Sequence, residues 1–409
     1  MNRIRQRRRS IRVLHLTPEY PPVIWGGLGT AVGGLVSASA RAGLSVGVLL
    51  VGGVLLFGER GYGAWQPVSA EHISGERSIF GPEGVLFFHV SPSDAAEVGI
   101  RLIRRWKPDV IHLHTAWLWP IARDIQQRTG TPLVFTVHSL DRAEYEFGHL
   151  PTQWHAQEEV IATAARVIAL SQSEKELLAQ YCPQAQDRVR IVGNGIQDCV
   201  EARVAAYRRN MPTESPLVLY TGRFVARKGI GDLLEAIPQV LDRAPTTRFV
   251  LIGGYGAGGD ITRDWLPNGL YAHHNQVTFT GWLSPIAVAQ WYGTADILVV
   301  PSWYEPFGMV ILEGMLYGLP IAASAIGGPA EILEDGRTGL FFPPKDVDAL
   351  AGAIVTLVAT PTLRRRIGVA AAEEVRRSWL WPSIAEKMRI VYREAALNAP
   401  NITARRSAS

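Results

Sequence analysis

Residues 300–313 read VPSWYEPFGMVILE, and the fold turns on how that stretch divides. An apolar, β-forming run from Ile297 to Val300 enters it and ends at Pro301-Ser302. Glu305 precedes a proline, which pushes it out of the helical region and into the junction. A helix is expected to start near Gly308 and to carry Glu313 on its second turn. The first backbone N–H groups of such a helix have no partner within it. They favour an anion such as a phosphate. Two carboxylates eight residues apart flank that helix start, and carboxylates accept hydrogen bonds from sugar hydroxyls.

EPFGMVILE resembles the Glu, seven residues, Glu signature of retaining glycosyltransferases with two Rossmann-like domains, the GT-B architecture. The family is glycosyltransferase family 4, with glycogen and starch synthases as more distant relatives. The resemblance implies an α/β fold of two doubly wound parallel-sheet domains facing a central cleft.

The totals agree with two domains. The chain has 409 residues, 47% hydrophobic and 19% charged, a well-cored rather than a disordered composition. Its net charge is +4, and six arginines lie in the first twelve residues, MNRIRQRRRSIR. That tail reads as a solvated, mobile terminus, or as a segment drawn to an anionic membrane surface. No stretch resembles a nucleic-acid module. Cys182 and Cys199 lack metal-type spacing, which suits a reducing cytoplasm, with the tail at the inner face of its membrane. The apolar run Ala42 to Gly58 is short and broken by Gly-Gly, so it reads as a buried strand, Val46 to Val51, running into a loop.

Along the first half, strands alternate with helical patterns, which predicts a parallel sheet covered on both faces. Arg12 to Thr17 is the first strand, and Trp25-Gly26-Gly27-Leu28-Gly29 opens a helix. Ligands bind past the C-terminal ends of such strands, which singles out Glu19, His114 and His138. Ser171-Gln-Ser-Glu174 reads as a capping box. Residues 201–215 are polar and read as the connection between domains. The expected division is a basic tail (1–10), a first domain (11–205), a second domain (206–380), a helix crossing back to the first domain (381–397) and a disordered tail (398–409).

In the second half, Leu217 to Thr221 is followed by Gly222-Arg223-Phe-Val-Ala-Arg227-Lys228-Gly229. Cations at a helix start are unfavourable unless an anion joins them. Arg227 reads as solvent-facing. Trp282-Leu283 follows the strand VTFTG, and Gly327-Gly328-Pro-Ala-Glu331, read as a glycine loop or plain βα turn, follows another. The glycine-rich 253–259 lacks the acidic residue a dinucleotide site needs.

The family resemblance assigns roles to these positions. Gly26 and Gly27 face the donor diphosphate, as in the similar PP-x-x-x-GGLG of glycogen synthases. Arg223 and Lys228 neutralise that diphosphate. His138 contacts the donor sugar, Glu305 holds its hydroxyls and Glu313 holds the ribose hydroxyls. Trp282, Leu283, Phe307, Gly308, Met309 and Val310 complete the donor site, with Glu19 and His114 on the acceptor side. No Asp-x-Asp is read at a strand end, so cations are expected to replace a metal and no cofactor is implied. The implied reaction moves a hexose, with retention, from a UDP-, GDP- or ADP-sugar to a hydroxyl acceptor. The alternatives are a non-catalytic or regulatory GT-B relative and a nucleotide-sugar epimerase on the same fold; donor base, acceptor and oligomeric state stay open.

Overall fold

The computed structural model describes residues 10–21, 24, 26–52, 79–80, 82–146, 154–208, 215–254 and 275–397. The basic tail before Ser10, Trp25, most of the 253–259 loop and the expected disordered tail lie outside the described residues. The elements, in chain order, are β1 (Arg12–Thr17), α1 (Gly27–Arg41), β2 (Ser45–Val51), β3 (Ile79–Phe80), β4 (Leu86–Val90), α2 (Ala95–Trp106), β5 (Val110–Leu113), α3 (Trp119–Thr129), β6 (Leu133–Val137), α4 (Asp141–Glu146), α5 (Trp154–Thr163), β7 (Arg166–Ala169), α6 (Gln172–Tyr181), β8 (Val189–Ile191) and α7 (Val200–Arg208). The second set is β9 (Leu217–Thr221), α8 (Ile230–Arg243), β10 (Arg248–Ile252), β11 (Val277–Gly281), α9 (Pro285–Thr294), β12 (Ile297–Val300), α10 (Met309–Leu316), β13 (Ile321–Ser324), α11 (Gly327–Ile332), β14 (Leu340–Phe342), α12 (Val347–Ala359), α13 (Pro361–Ser378) and α14 (Trp381–Leu397).

The first sheet runs β3-β4-β2-β1-β5-β6-β7-β8 and the second β11-β10-β9-β12-β13-β14. Every pairing is parallel except the edge pair β3–β4. Both strand faces are buried, so β12 reads as an unbroken apolar run rather than an alternation. Leu298 and Val300 enter one core cluster and Ile297 and Val299 the other.

Strand order reverses between β1 and β5 in the first sheet, and between β9 and β12 in the second. A crevice opens at such a switch point, outside the carboxyl ends of the strands. The loops after these four strands carry Glu19, His114, Arg223, Lys228 and Glu305. Topology alone therefore gathers those residues at two facing crevices.

α14 returns to the first domain. Its Ala385, Met388, Val391 and Tyr392 share a buried cluster with Val13, Val46, Val110, Val134 and Ile168. Glu394 pairs with Arg166 at 2.9 Å and Arg190 at 3.0 Å. The fit against α1 depends on Gly34, where a Cβ would stand 2.1 Å from the Trp381 ring.

Four sequence readings change. The polar span 201–215 begins with α7, whose buried Ala202 and Ala205 sit in the second domain's core. α13 was not read, because its buried positions are mostly alanine, glycine and arginine rather than large apolar residues. Gly327-Gly328 begins a helix instead of lying in a loop. An Asp-x-Asp does follow a strand, Asp346-Val347-Asp348 after β14. Asp346 caps α12 by accepting from Ala349 N–H at 2.9 Å, and Asp348 accepts from Gln239 Nε2 at 2.8 Å. Among the described residues no single helix is long and apolar enough to cross a membrane.

Gly34→Ala is expected to lower stability by roughly 1–3 kcal/mol through overpacking against a rigid indole. That outweighs the ~1 kcal/mol of helix propensity alanine gains over glycine. Urea midpoints measure it, and the double substitution Gly34→Ala/Trp381→Leu should recover part of the loss.

Candidate active site

The loop after β12 is held by glycines whose side-chain absence is a geometric necessity. Gly328 N–H donates to the Glu305 carbonyl at 3.0 Å. A Cβ at Gly328 would lie 2.1 Å from the Phe307 carbonyl oxygen, and one at Gly327 would lie 2.6 Å from that of Glu305. On the other side, Gly229 has φ +64, and a Cβ there would lie 1.8 Å from the Pro301 carbonyl oxygen. The loops after β9, β12 and β13 therefore touch backbone to backbone, and the resulting platform is rigid.

On it, Glu305 is buried and its Oε2 pairs with Lys228 Nζ. Ser302 Oγ lies 3.5 Å from the same oxygen. Burial pulls Lys228 below the usual lysine range, and Glu305 pulls it back up. The Arg223 carbonyl accepts from Tyr220 Oη at 3.0 Å, but its guanidinium has no hydrogen-bond or ion-pair partner among the described residues. Its guanidinium is lowered by burial and by Arg227, against the upward pull of Glu144, Glu305 and Glu19. Arg223 is exposed, and an exposed, unpaired guanidinium near a paired lysine can grip an anion bidentately.

The start of α10 completes that site. Gly308 adopts a left-handed conformation, φ 102, and turns the chain into the helix at Met309. The N–H groups of Met309 and Val310 are left free at its first turn. Gly27 stands across from them, with the position of its absent Cβ 3.7 Å from Met309 Cγ. Two helix N-termini, α1 and α10, thus meet across the cleft. Glu19 holds one of them, accepting from Gly29 N–H at 3.2 Å. Glu313, on α10, accepts from Tyr292 Oη at 2.7 Å, and burial raises its carboxyl to about 7. Tyr292 Oη in turn shares a 2.9 Å bond with Thr221 Oγ1.

The remaining candidates divide. Trp282 is 40% exposed and open to a ligand, whereas Leu283 packs against the second domain's core. Phe307 presents no side chain to the cleft: it is 3% exposed and lies against Gly193 and Trp379. His138, just past β6, is held at its Nε2 by His114 Nδ1 at 3.2 Å. Burial pulls His138 down to about 4, so it is neutral at pH 7.

The ties between domains escaped the sequence reading. Tyr304, next to Glu305, crosses the cleft into the first domain's hydrophobic cluster. Its hydroxyl accepts from Leu140 N–H at 3.0 Å and bonds both Glu174 oxygens at 3.0 and 3.1 Å. Glu174 was expected to complete a capping box; Ser171 does accept from Glu174 N–H, but the carboxyl turns to Tyr304 instead. Arg227 is buried rather than solvent-facing, and forms a 2.8 Å ion pair with Glu144 of the first domain. Glu331 of α11 accepts from Gln172 N–H at 2.7 Å and Ser173 N–H at 2.8 Å, capping α6 across the cleft. The only sequence signal was position: Tyr304, Arg227 and Glu331 each lie within four residues of a candidate-site residue or a loop glycine.

The model of Glycosyltransferase Family 4 matches residues 25–198, and that of Glycosyl transferases group 1 matches residues 215–360. The glycogen synthase of Mycobacterium tuberculosis is 30% identical over 406 residues, covering 93% of this chain and 94% of that protein. The chain belongs to glycosyltransferase family 4. Among solved structures, the catalytic domain of starch synthase IV from Arabidopsis thaliana, bound to ADP and acarbose, superposes with a TM-score of 0.72 at 18% identity over 95% of this chain and all of that one. HepE from Anabaena, in complex with UDP-glucose, gives 0.69 at 19% identity, covering 93% of this chain and 98% of that one. Both confirm the GT-B fold. The family 4 member described here is a glycosyltransferase with a nucleotide-sugar donor, and its cleft joins the two sheet switch points.

Burial lifts the Glu174 carboxyl to about 8, against the downward pull of Tyr304. Unfolded, the group ionises near pH 4.3. Between there and about pH 8 the unfolded chain releases a proton that the folded chain keeps, so this group's contribution to stability falls as pH rises through that window. Glu174→Gln should flatten the decline in urea midpoint between about pH 5 and pH 8 relative to wild type. Tyr304→Phe leaves Leu140 N–H and Glu174 without that hydroxyl and should cost about 1–3 kcal/mol at pH 7.

Proposed function

We propose that this family 4 enzyme transfers a hexose, with retention and without a metal, from a nucleoside-diphosphate sugar to a hydroxyl acceptor. The observation that carries the reading is the unpaired Arg223 guanidinium near Lys228 and Glu305, on the loop that packs against the one leading into the free N–H groups of α10. Together they offer positive charge where the leaving β-phosphate gains a negative one. Prearranged stabilisation of that charge is the main catalytic term. With Arg223, Lys228 and two helix N-termini converging there, cations can fill the role a divalent ion plays in metal-dependent transferases. The only Asp-x-Asp among the described residues is engaged as a helix cap.

In the proposed step the bond from the sugar's anomeric carbon to the β-phosphate oxygen breaks. The acceptor oxygen bonds to that carbon on the same face, and its proton passes to the leaving phosphate. Glu305, fixed by Lys228, accepts hydrogen bonds from the sugar hydroxyls. Glu313 accepts from the ribose diol, whose donors favour its ionised form. Trp282 offers an exposed indole at the nucleobase end. The bound ADP of starch synthase IV and the UDP-glucose of HepE support an adenosine or uridine diphosphate donor. Glycogen synthase supports glucose as the sugar and a carbohydrate as the acceptor.

A melting-temperature panel of UDP-, ADP- and GDP-sugars, with and without EDTA, tests the reading, because a ligand bound only by the folded state raises the melting temperature. One nucleotide should stand out, with a shift that survives EDTA. Loss of the shift in EDTA would refute metal independence, and no shift with any nucleotide would favour a non-catalytic relative. Once the donor is known, Lys228→Ala should lower kcat by about 100- to 1,000-fold, whereas Glu313→Ala should act mainly on donor KM. An inverted anomeric carbon in the product, seen by proton NMR, would overturn retention.

A further inference from the structure

Three histidines form a hydrogen-bonded chain that ends at His138, just past β6. His15 on β1 lies beneath His114, which follows β5, and His114 lies beside His138. His15 Nδ1 is 2.9 Å from His114 Nε2, and His114 Nδ1 is 3.2 Å from His138 Nε2. His15 and His114 are buried, with ring planes within 9° and centroids 5.2 Å apart, an edge-to-edge arrangement that suits an in-plane N–H···N bond. His112 packs on both, with ring centroids 4.0 Å from His114 and 5.2 Å from His15, but it is outside the chain because its nitrogens are engaged by Tyr392 Oη at 2.8 Å and Thr136 Oγ1 at 2.7 Å.

A neutral imidazole has one N–H and one lone pair. Burial holds all three rings neutral, lowering His15 to about 3, His138 to about 4 and His114 well below its ordinary value. Both hydrogen bonds can form in only two ways. Either every ring donates forward from Nδ1 towards His138, or every ring donates backward from Nε2 towards His15. The far end decides between them. His15 Nε2 is buried and has no partner. Backward polarity would put a proton there and leave an orphaned N–H, which folded proteins rarely tolerate. Forward polarity leaves only an unfilled lone pair, which they tolerate more often.

We propose that His15 and His114 are positioning residues that fix His138 in its Nδ1–H tautomer, so that His138 meets the donor sugar as a hydrogen-bond donor and not as a base. The proposal rests on the donor-site reading above. His138 Nε2 is occupied by His114, and Nδ1 has no partner among the described residues, so Nδ1–H is the group left to point at a sugar oxygen. A histidine so fixed cannot take the acceptor's proton. That matches a step in which the leaving phosphate takes it. It also gives a role to His15, which lies two rings from the cleft and touches no ligand.

Ring-nitrogen NMR tests the polarity directly. In the full-length protein with 15N-labelled histidine at pH 7, the His138 signals are assigned by their loss in His138→Gln. A protonated Nδ1 and a bare Nε2 are expected, and a protonated Nε2 would overturn the proposal. So would one equivalent of a bound transition metal in the purified protein, because nitrogens of His15, His112 and His114 lie within 4.8 Å of one another and a metal would take the place of the chain. In activity, His15→Leu should lower kcat about tenfold with donor KM within about twofold. His15→Asn, whose amide N–H replaces Nδ1–H, should restore most of it. Equal losses in the two folded variants would show a merely structural role. The NMR result needs no turnover, so failure of the transferase reading would appear separately, as an inactive wild type with the tautomer intact.

Discussion

The hydroxyl of Tyr304 joins the two halves of the cleft. It belongs to the loop that carries Glu305, yet it ends inside the first domain's core, on Leu140 N–H and the Glu174 carboxyl. Leu140 is two residues past His138. One phenol therefore sets the distance between the loop holding His138 and the loop holding Glu305. A hydroxyl buried this way must keep its partners, since an unmatched polar group in a low dielectric costs more than a matched one contributes. The tie between the domains and the spacing of those two loops are thus set by one contact.

The charges around that phenol follow the same logic. Arg227 with Glu144, and Lys228 with Glu305, are ion pairs removed from most of the water around them. Buried pairs add little to stability, because desolvation offsets their attraction. Their value here is orientation. Each pair fixes a carboxylate, and each contains one of two consecutive residues, Arg227 and Lys228, on a turn that packs backbone to backbone against the Glu305 loop. Arg223, four residues earlier, is left unpaired. It stays exposed, free to grip an anionic ligand without giving up a partner inside the protein.

Much of this was legible in the sequence. The run Ile297 to Val300 ending at proline, Glu305-Pro-Phe-Gly308 and the cations after β9 each put a chemical type at a strand end, and parallel sheets bring strand ends together. What stayed hidden depends on contacts distant in sequence. Arg227 reads as an exposed loop cation because nothing local reveals that Glu144 waits on the other domain. Phe307 sits in a ligand motif but packs on Gly193 and Trp379. Gly327 and Gly328 read as a turn, whereas their lack of Cβ atoms is what lets α11 rest on the Glu305 loop. α13 escaped because alanine, glycine and an arginine line its buried side, so it has no large-residue stripe for a period of 3.6 to show.

Water sets the last constraint. A donor sugar activated in an open cleft would lose its sugar to solvent as readily as to an acceptor, so the groups that activate it should be assembled only when the cleft is shut. The ties that shut it, Tyr304 to Glu174, Arg227 to Glu144 and Glu331 to the start of α6, all start from the loops that carry or support Glu305 and Lys228. In the open protein those loops would lose their first-domain anchors, and Glu174, released to solvent, would ionise. The residues proposed to perform the chemistry thus neighbour the residues that tie the two domains together.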